Sequence, residues 1–384
     1  MRDKRTRWTI AILFLLSSGL LAQPFLARTF AYEGNTREYN IYLPASYDGS
    51  VAFPLLFNFH GGGGDIASQI AIADMRSIAD TADFILVYPQ ALPDPNDDGS
   101  TNWLHKEPTE VDDVFFIDAL ISSLSAEYEI DQTRIYACGY SLGGEFTYEL
   151  ACRLNEQIAA VGVVARTMFV GTLDNCAPSH PTGVLTILGT DDAISPYDGL
   201  EWGGIQYYHS AAEVHDYWVT HNNAATVPII TQLPDLEPFD GSTVERYIWG
   251  EGDACVAVEH LKVNNGGHDW PGSFGNKDID ASVEIWNFVS QYSLDGLISC
   301  AVTSTSEVPL ESDLLIYPNP LTDQIRLDAI FEDNQVYEIH SPAGSLVSSG
   351  VLASGNSMIN IPHLPAGIYI LKLAGSALRF VKLQ

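Results

Sequence analysis

The stretch RIYACGYSLGGEFTYELAC, Arg134 to Cys152, limits the possible folds of this chain more than any other. A short apolar run ends at Cys138, passes through Gly139-Tyr140-Ser141-Leu142-Gly143-Gly144, and continues as a helix-like pattern. A strand that becomes a helix within so few residues needs small side chains at the corner, because neighbouring backbone crowds it. G-x-S-x-G at such a corner lifts the serine hydroxyl above the sheet, where a base can reach it. The plainer alternative is a serine that only fills a tight turn. What separates the two is whether the rest of the chain supplies a base, an acid and oxyanion donors.

The surrounding pattern suits such a corner. Strand-like runs at 38–44, 53–59, 84–89, 134–138, 160–165, 183–188, 243–249 and 260–265 alternate with helical periods. The helical periods lie near 65–82, 112–126, 143–153, 211–221 and 279–294. Several of the runs are apolar almost throughout, as strands covered on both faces are. This alternation predicts an α/β fold with a mostly parallel central sheet, whose ligands bind beyond the carboxyl ends of the strands. The pattern stops near Gly296. Residues 298–313 are Ser/Thr-rich and aperiodic and read as a linker. Residues 314–384 hold short strands broken by Pro, Gly and Asn, which predicts a small all-β sandwich.

At the other end, a basic flank, an apolar stretch of about fifteen residues and Ala22 read as a signal peptide over 1–22. The stretch is shorter than a membrane span, so no stable span is expected after processing. The formal charge of −31 argues against nucleic acid as a partner, since phosphate binding needs a basic face. Five cysteines, Cys138, Cys152, Cys176, Cys255 and Cys300, suit an exported chain with disulfides and at least one free thiol. Their spacing does not assign the pairs. Cys138, within an expected strand, reads as a small buried residue. No metal-ligand spacing is present, and no cofactor is expected.

Partners for Ser141 follow from position. His268 sits in NNGGHDWPG, a glycine-rich loop directly after a strand and near the end of the α/β region, which makes it the candidate base. In GVLTILGTDDAISPY, Asp191 and Asp192 both lie just past a strand, and spacing alone does not choose between them as the acid. LFNFHGGGGDI supplies glycines whose N–H groups can face a substrate oxygen, and the N–H of Leu142 is the second candidate donor. No G-K-[S/T] follows those glycines, so they do not read as a phosphate loop. Trp103 and Trp270 are candidates for a substrate platform, with burial as the alternative for each.

Six blocks, HGGGG, NWL, VDDVFFIDALI, RIYACGYSLGG, GTDDAISPY and NNGGHDWPG, together resemble a known family over residues 30–297. The family is that of secreted polyhydroxybutyrate depolymerase-like and feruloyl esterases, carbohydrate esterase family one in the wider sense. The resemblance implies an α/β-hydrolase fold and a Ser-Asp-His triad. It selects Asp192 over Asp191, places the base on His268 and puts an oxyanion donor near Gly62. The chain departs from the family in having Leu188 where histidine is usual before G-T-x-D, and HNNAAT where many relatives have a cysteine. Neither departure touches the triad. The implied activity is a secreted carboxylesterase cleaving feruloyl or acetyl esters of polysaccharide. A polyhydroxyalkanoate depolymerase is the alternative within the class, and a non-catalytic glycan-binding relative the alternative outside it. YPNP at 317–320, PAGIYILKL and the closing KLQ resemble the type IX secretion sorting domain of Bacteroidota. That resemblance implies the type IX machinery as partner and a place outside the cell or on its surface. A carbohydrate-binding β-domain is the alternative.

Overall fold

The computed structural model describes residues 25–105, 112–300 and most of 316–382. The expected signal peptide and all but the start of the expected linker lie outside the described residues. The first region carries the strands β1 (Phe25–Tyr32), β2 (Asn35–Tyr42), β3 (Phe53–Phe59), β4 (Ile85–Pro89), β5 (Ile130–Tyr140) and β6 (Ile158–Val164). It continues with β7 (Gly183–Gly189), the hairpin β8 (Leu200–Trp202) and β9 (Ile205–Tyr208), then β10 (Ile229–Gln232), β11 (Thr243–Trp249) and β12 (Val258–Asn264). Its helices are α1 (Ile66–Ile72), α2 (Arg76–Ala82), α3 (Asp113–Glu127), α4 (Leu142–Arg153), α5 (Val170–Asn175), α6 (Ala211–His221) and α7 (Ala281–Val289).

One large sheet has the order β1-β2-β4-β3-β5-β6-β7-β12-β11-β10. Neighbours from β4 to β12 pair parallel, and the two strands at each end pair antiparallel. The apolar runs are continuous because each face of the sheet has its own core. Leu55, Phe57 and Phe59 of β3 enter the core shared with α3, α4 and α6, while Leu56 enters the core shared with α2 and α7. β5 divides the same way, with Ile135 and Ala137 on one side and Tyr136 and Cys138 on the other. Burial raises the Cys138 thiol above its ordinary range, so it stays an inert packing group.

Chain order places the reactive end. β3 lies between β4 and β5, so the chain first crosses to one side of β3 and then returns to the other. The loops after β3 and β5 therefore diverge, which opens a crevice beyond their carboxyl ends.

Some elements differ from expectation. The helical period at 65–82 is two helices, because the Ala73 carbonyl is taken by the Tyr88 hydroxyl at 2.8 Å and the Asn58 amide at 3.3 Å. The last helical period ends at Val289, and Tyr292–Ser293 instead pairs with Gly296–Leu297. β1, β8, β9 and β10 were not expected, since they are largely exposed or half-buried and lack an apolar run. Disulfides join Cys152 to Cys176, which ties the end of α4 to the end of α5, and Cys255 to Cys300.

The last region is antiparallel. Strands Leu346–Leu352, Gln335–His340, Gly367–Leu373 and Ser376–Lys382 form one sheet in that order. Ile316–Tyr317, Gln324–Leu327 and Met358–Asn360 form a second. Ile325, Ile339, Leu371 and Phe380 share a small core of their own. Among the described residues no helix is long and apolar enough to cross a membrane.

Candidate active site

β5 ends at Tyr140 and α4 begins at Leu142, with Ser141 alone at the corner. Ser141 has φ 53° and ψ −120°, a conformation that side chains rarely adopt. The corner is held by main chain: Ser141 N–H donates to Val164 O at 3.0 Å, and Ser141 O accepts from Glu145 N at 3.0 Å. The two glycines of the motif are sterically required. A β-carbon at Gly139 would lie 2.3 Å from Gly143 O, and one at Gly143 would lie 2.4 Å from Phe59 O. Gly139→Ala is expected to destabilise the protein by about 3 kcal/mol, because only backbone could move aside. A lowered urea midpoint at unchanged m value is the measurement, and wild-type stability would contradict this close packing.

The loops beyond β7 and β12 bring two more groups to the corner. His268 Nε2 lies 2.9 Å from Ser141 Oγ, and His268 Nδ1 lies 2.7 Å from Asp192 Oδ2. The Asp192 side chain is 2 % exposed and that of His268 17 %, so solvent reaches the imidazole but scarcely the carboxylate. Asp192 Oδ1 accepts the N–H groups of Ile194 and Ser195, each at 2.8 Å, which fixes the carboxylate plane. Asp191 instead faces solvent. Its N–H donates to Gly266 O at 2.8 Å, and its carboxylate meets Thr190 Oγ1 at 3.3 Å. Backbone ties to the histidine loop thus turn Asp191 outward and Asp192 inward.

The glycine loop after β3 runs along the first turn of α4. A β-carbon at Gly62 would lie 3.4 Å from Leu142 Cδ2 and 3.2 Å from Asn102 Oδ1. Among the described residues, neither the Gly62 nor the Leu142 amide donates to a protein acceptor. His60 sets the loop. Its Nε2 accepts from Ala91 N at 3.1 Å, so Nδ1 carries the proton and donates to Gly61 O at 2.7 Å. Gly64 N also donates to Gly61 O, at 3.0 Å. In a planar trans peptide the C=O and the next N–H point opposite ways, so anchoring Gly61 O turns the Gly62 N–H outward. Burial pushes the His60 imidazole below its ordinary pKa, which preserves this neutral tautomer.

Reading the sequence did not single out several residues that shape the site. The Tyr140 hydroxyl donates to His268 O at 2.6 Å, and its ring lies 5.1 Å from the imidazole. Burial raises that phenol to about 12, so it remains a donor. Asn102 Oδ1 accepts from Gly63 N at 3.3 Å. One turn past Ser141, buried Glu145 receives Arg166 Nε and the Tyr208 hydroxyl, each at 2.9 Å. Tyr140 was within reach as the middle residue of the G-x-S corner and Asn102 as the first residue of the NWL block; the others had no local signal.

Trp103 and Trp270 are not a platform. They are 2 % and 1 % exposed. Trp103 stacks on Phe146, and its indole N–H donates to His60 O at 2.8 Å. Trp270 donates to Ser282 Oγ at 3.1 Å. Each indole N–H finds its acceptor inside the protein, which permits full burial.

Known proteins resemble the chain in two separate parts. Residues 315–382 match the family model of the secretion system C-terminal sorting domain. The chain is therefore an exported protein, of the cell surface or the medium. Over 269 residues it is 28% identical to a bifunctional acetylxylan esterase/xylanase of Neocallimastix patriciarum, which covers 70% of this chain and 35% of that one. Over 187 residues it is 32% identical to a protein of Aspergillus clavatus named as a probable feruloyl esterase C, covering 48% and 64%. The chain thus spans about a third to two thirds of the length of these curated relatives. A solved Bacteroides ovatus structure assigned by name to dipeptidyl aminopeptidase IV superposes with a TM-score of 0.50 at 12% identity, over 72% of this chain and 36% of that one. That likeness concerns the fold alone, which is the α/β-hydrolase fold.

Proposed function

We propose that this exported α/β-hydrolase-fold protein is a serine carboxylesterase that cleaves feruloyl or acetyl esters carried by polysaccharide. The observation that carries the reading is one unbroken line of hydrogen bonds, Asp192 to His268 to Ser141, ending on a strained strand-to-helix corner. In this reading His268 Nε2 takes the Ser141 proton as Oγ attacks the ester carbonyl. Asp192 holds the proton on Nδ1 and stabilises the imidazolium that forms. The amides of Gly62 and Leu142 receive the oxyanion. Collapse breaks the bond from the acyl carbon to the sugar oxygen, which takes the proton from His268 Nε2 and departs as the alcohol, leaving the acyl group on Ser141. Water then repeats the sequence and releases the acid. The relatives named as acetylxylan and feruloyl esterases support the choice of acyl group. The neutral sugar alcohol as leaving group needs only the proton from His268, so no metal is called on.

The proposed organisation is 1–22 as signal peptide, 30–297 as the esterase unit, 298–313 as linker and 314–384 as the unit read by the type IX machinery. One experiment tests both proposals. The secreted protein is given methyl ferulate, acetylated xylan and polyhydroxybutyrate film, and then a fluorophosphonate. Ferulate or acetate release is expected to exceed hydroxybutyrate release by about tenfold or more, the lower end of the discrimination that a shape misfit at a substrate site produces. One label per chain is expected, on Ser141. No acid from any substrate, or a label elsewhere, would remove the esterase reading. The intact mass of the labelled chain reads whether 1–22 and 314–384 have been removed.

A further inference from the structure

The strands that lead to Asp192 and His268 share a buried polar seam that the chemistry above leaves unused. Thr186 lies on β7, His260 on β12 and His215 on α6, and all three are buried. Tyr197 closes the loop that carries Asp192. The Tyr197 hydroxyl lies 2.9 Å from His260 Nε2, and His260 Nδ1 lies 2.8 Å from Thr186 Oγ1. Thr186 Oγ1 in turn lies 2.8 Å from His215 Nε2. The two imidazoles pack with centroids 4.4 Å apart.

The carbonyl of Thr186 lies 3.3 Å from His260 Nδ1 and can only accept, so Nδ1 carries the hydrogen and sets the direction of the seam. A neutral imidazole has one donor and one acceptor. Tyr197 donates to His260 Nε2, His260 Nδ1–H donates to Thr186 Oγ1, and the threonine hydroxyl donates to His215 Nε2. Burial keeps both imidazoles neutral, with His215 lowered to about 3 and His260 well below its ordinary value. Lys262 also disfavours charge on His260, and Tyr247 packs 5.8 Å from its ring. Asp198, Glu245 and Tyr247 face Tyr197, and together with burial they keep its phenol protonated. The direction of the chain is therefore constant wherever an esterase of this kind would work.

The seam ends at Tyr197, on the loop that carries Asp192. At its start, the Asp192 loop is tied to β12 and the histidine loop through Thr190 N to Val263 O at 3.0 Å and Asp191 N to Gly266 O at 2.8 Å. At its far end, Tyr197 O accepts from Ala211 N at 2.9 Å, and the Tyr197 hydroxyl reaches back to β12. We propose that Tyr197 is a positioning residue, whose bond to His260 closes the Asp192 loop onto β12 and keeps the carboxylate in line with His268. This rests on the reading of Asp192 and His268 as the acid and base of the esterase.

The test compares wild type, Ser141→Ala and Tyr197→Phe on nitrophenyl acetate. Tyr197→Phe removes one hydroxyl and no packing. A loosened Asp192 is expected to lower kcat about tenfold at nearly constant KM, since small misplacement of a reacting group is costly. A merely structural hydroxyl would lower the melting temperature and leave kcat within about twofold of wild type. His260→Asn keeps a donor towards Thr186 and withdraws the acceptor from Tyr197, so it is expected to lower kcat in the same way. His260→Gln, which keeps an acceptor at the outer position, is expected to restore it. The His260 pair gives the answer if Tyr197→Phe does not fold. An unchanged kcat in Tyr197→Phe, or equal kcat in His260→Asn and His260→Gln, overturns the positioning role. Equal rates for wild type and Ser141→Ala overturn the esterase reading instead.

Discussion

Ser141→Ala is expected to lower kcat/KM for nitrophenyl acetate by at least about 10⁴-fold, since loss of a triad serine removes the covalent route entirely. That factor corresponds to roughly 5.5 kcal/mol of transition-state stabilisation. The fold should hardly notice. The Ser141 side chain bonds to His268 Nε2, while the corner is held by main-chain bonds to Val164 O and Glu145 N that alanine retains. Alanine also bears the same cost as serine at φ 53°, because that cost comes from the β-carbon. Rate and melting temperature measured together therefore separate the two roles. Loss of rate at an unchanged melting temperature is the expected result. A variant as fast as wild type would leave Ser141 as an ordinary turn residue.

Asp192→Asn is expected to cost about 10⁴-fold in kcat, and Asp191→Asn less than about twofold. The asymmetry follows from donors and acceptors. Ile194 and Ser195 N–H groups both point at Asp192 Oδ1, so an amide must keep its oxygen there. Its NH₂ then faces His268 Nδ1, where Oδ2 now lies 2.7 Å away. Two donors cannot share that contact, so the imidazole takes the other tautomer and its Nε2–H points at Ser141 Oγ. A base that already carries its proton cannot accept another. Asp191 faces solvent and has no such link. Equal losses in the two variants would contradict the assignment. Activity in both would remove the acid from the mechanism.

How much was legible varies with the distance over which each decision is made. The corner at 139–143 is a local steric problem with few solutions, so its glycines and its central serine announce themselves. The choice between Asp191 and Asp192 is not local. Their rotation is set by amides that bond to Val263 and Gly266, on a different strand and loop. The two tryptophans stayed open between platform and core for a related reason. An indole suits a sugar platform and a core equally well, and only the positions of His60 O and Ser282 Oγ decide for the core. The half-exposed strands left no apolar run, and the helix break at Ala73 depends on Tyr88 and Asn58.

From its order of residues alone, this chain declared an alternating α/β core, a nucleophile-shaped corner, a glycine loop able to face an oxyanion, and a histidine loop at a strand end. Each of these is written in neighbours a few positions apart, where backbone sterics and side-chain periodicity act directly. The folded molecule alone decided which cysteines pair, where the indoles go and how Tyr197 meets His260, and it supplied the physical reason why Asp192 rather than Asp191 turns inward. Those outcomes depend on atoms brought together by packing across the sheet. No periodicity encodes them, because the partners lie far apart along the chain and meet only once both faces of the sheet are covered.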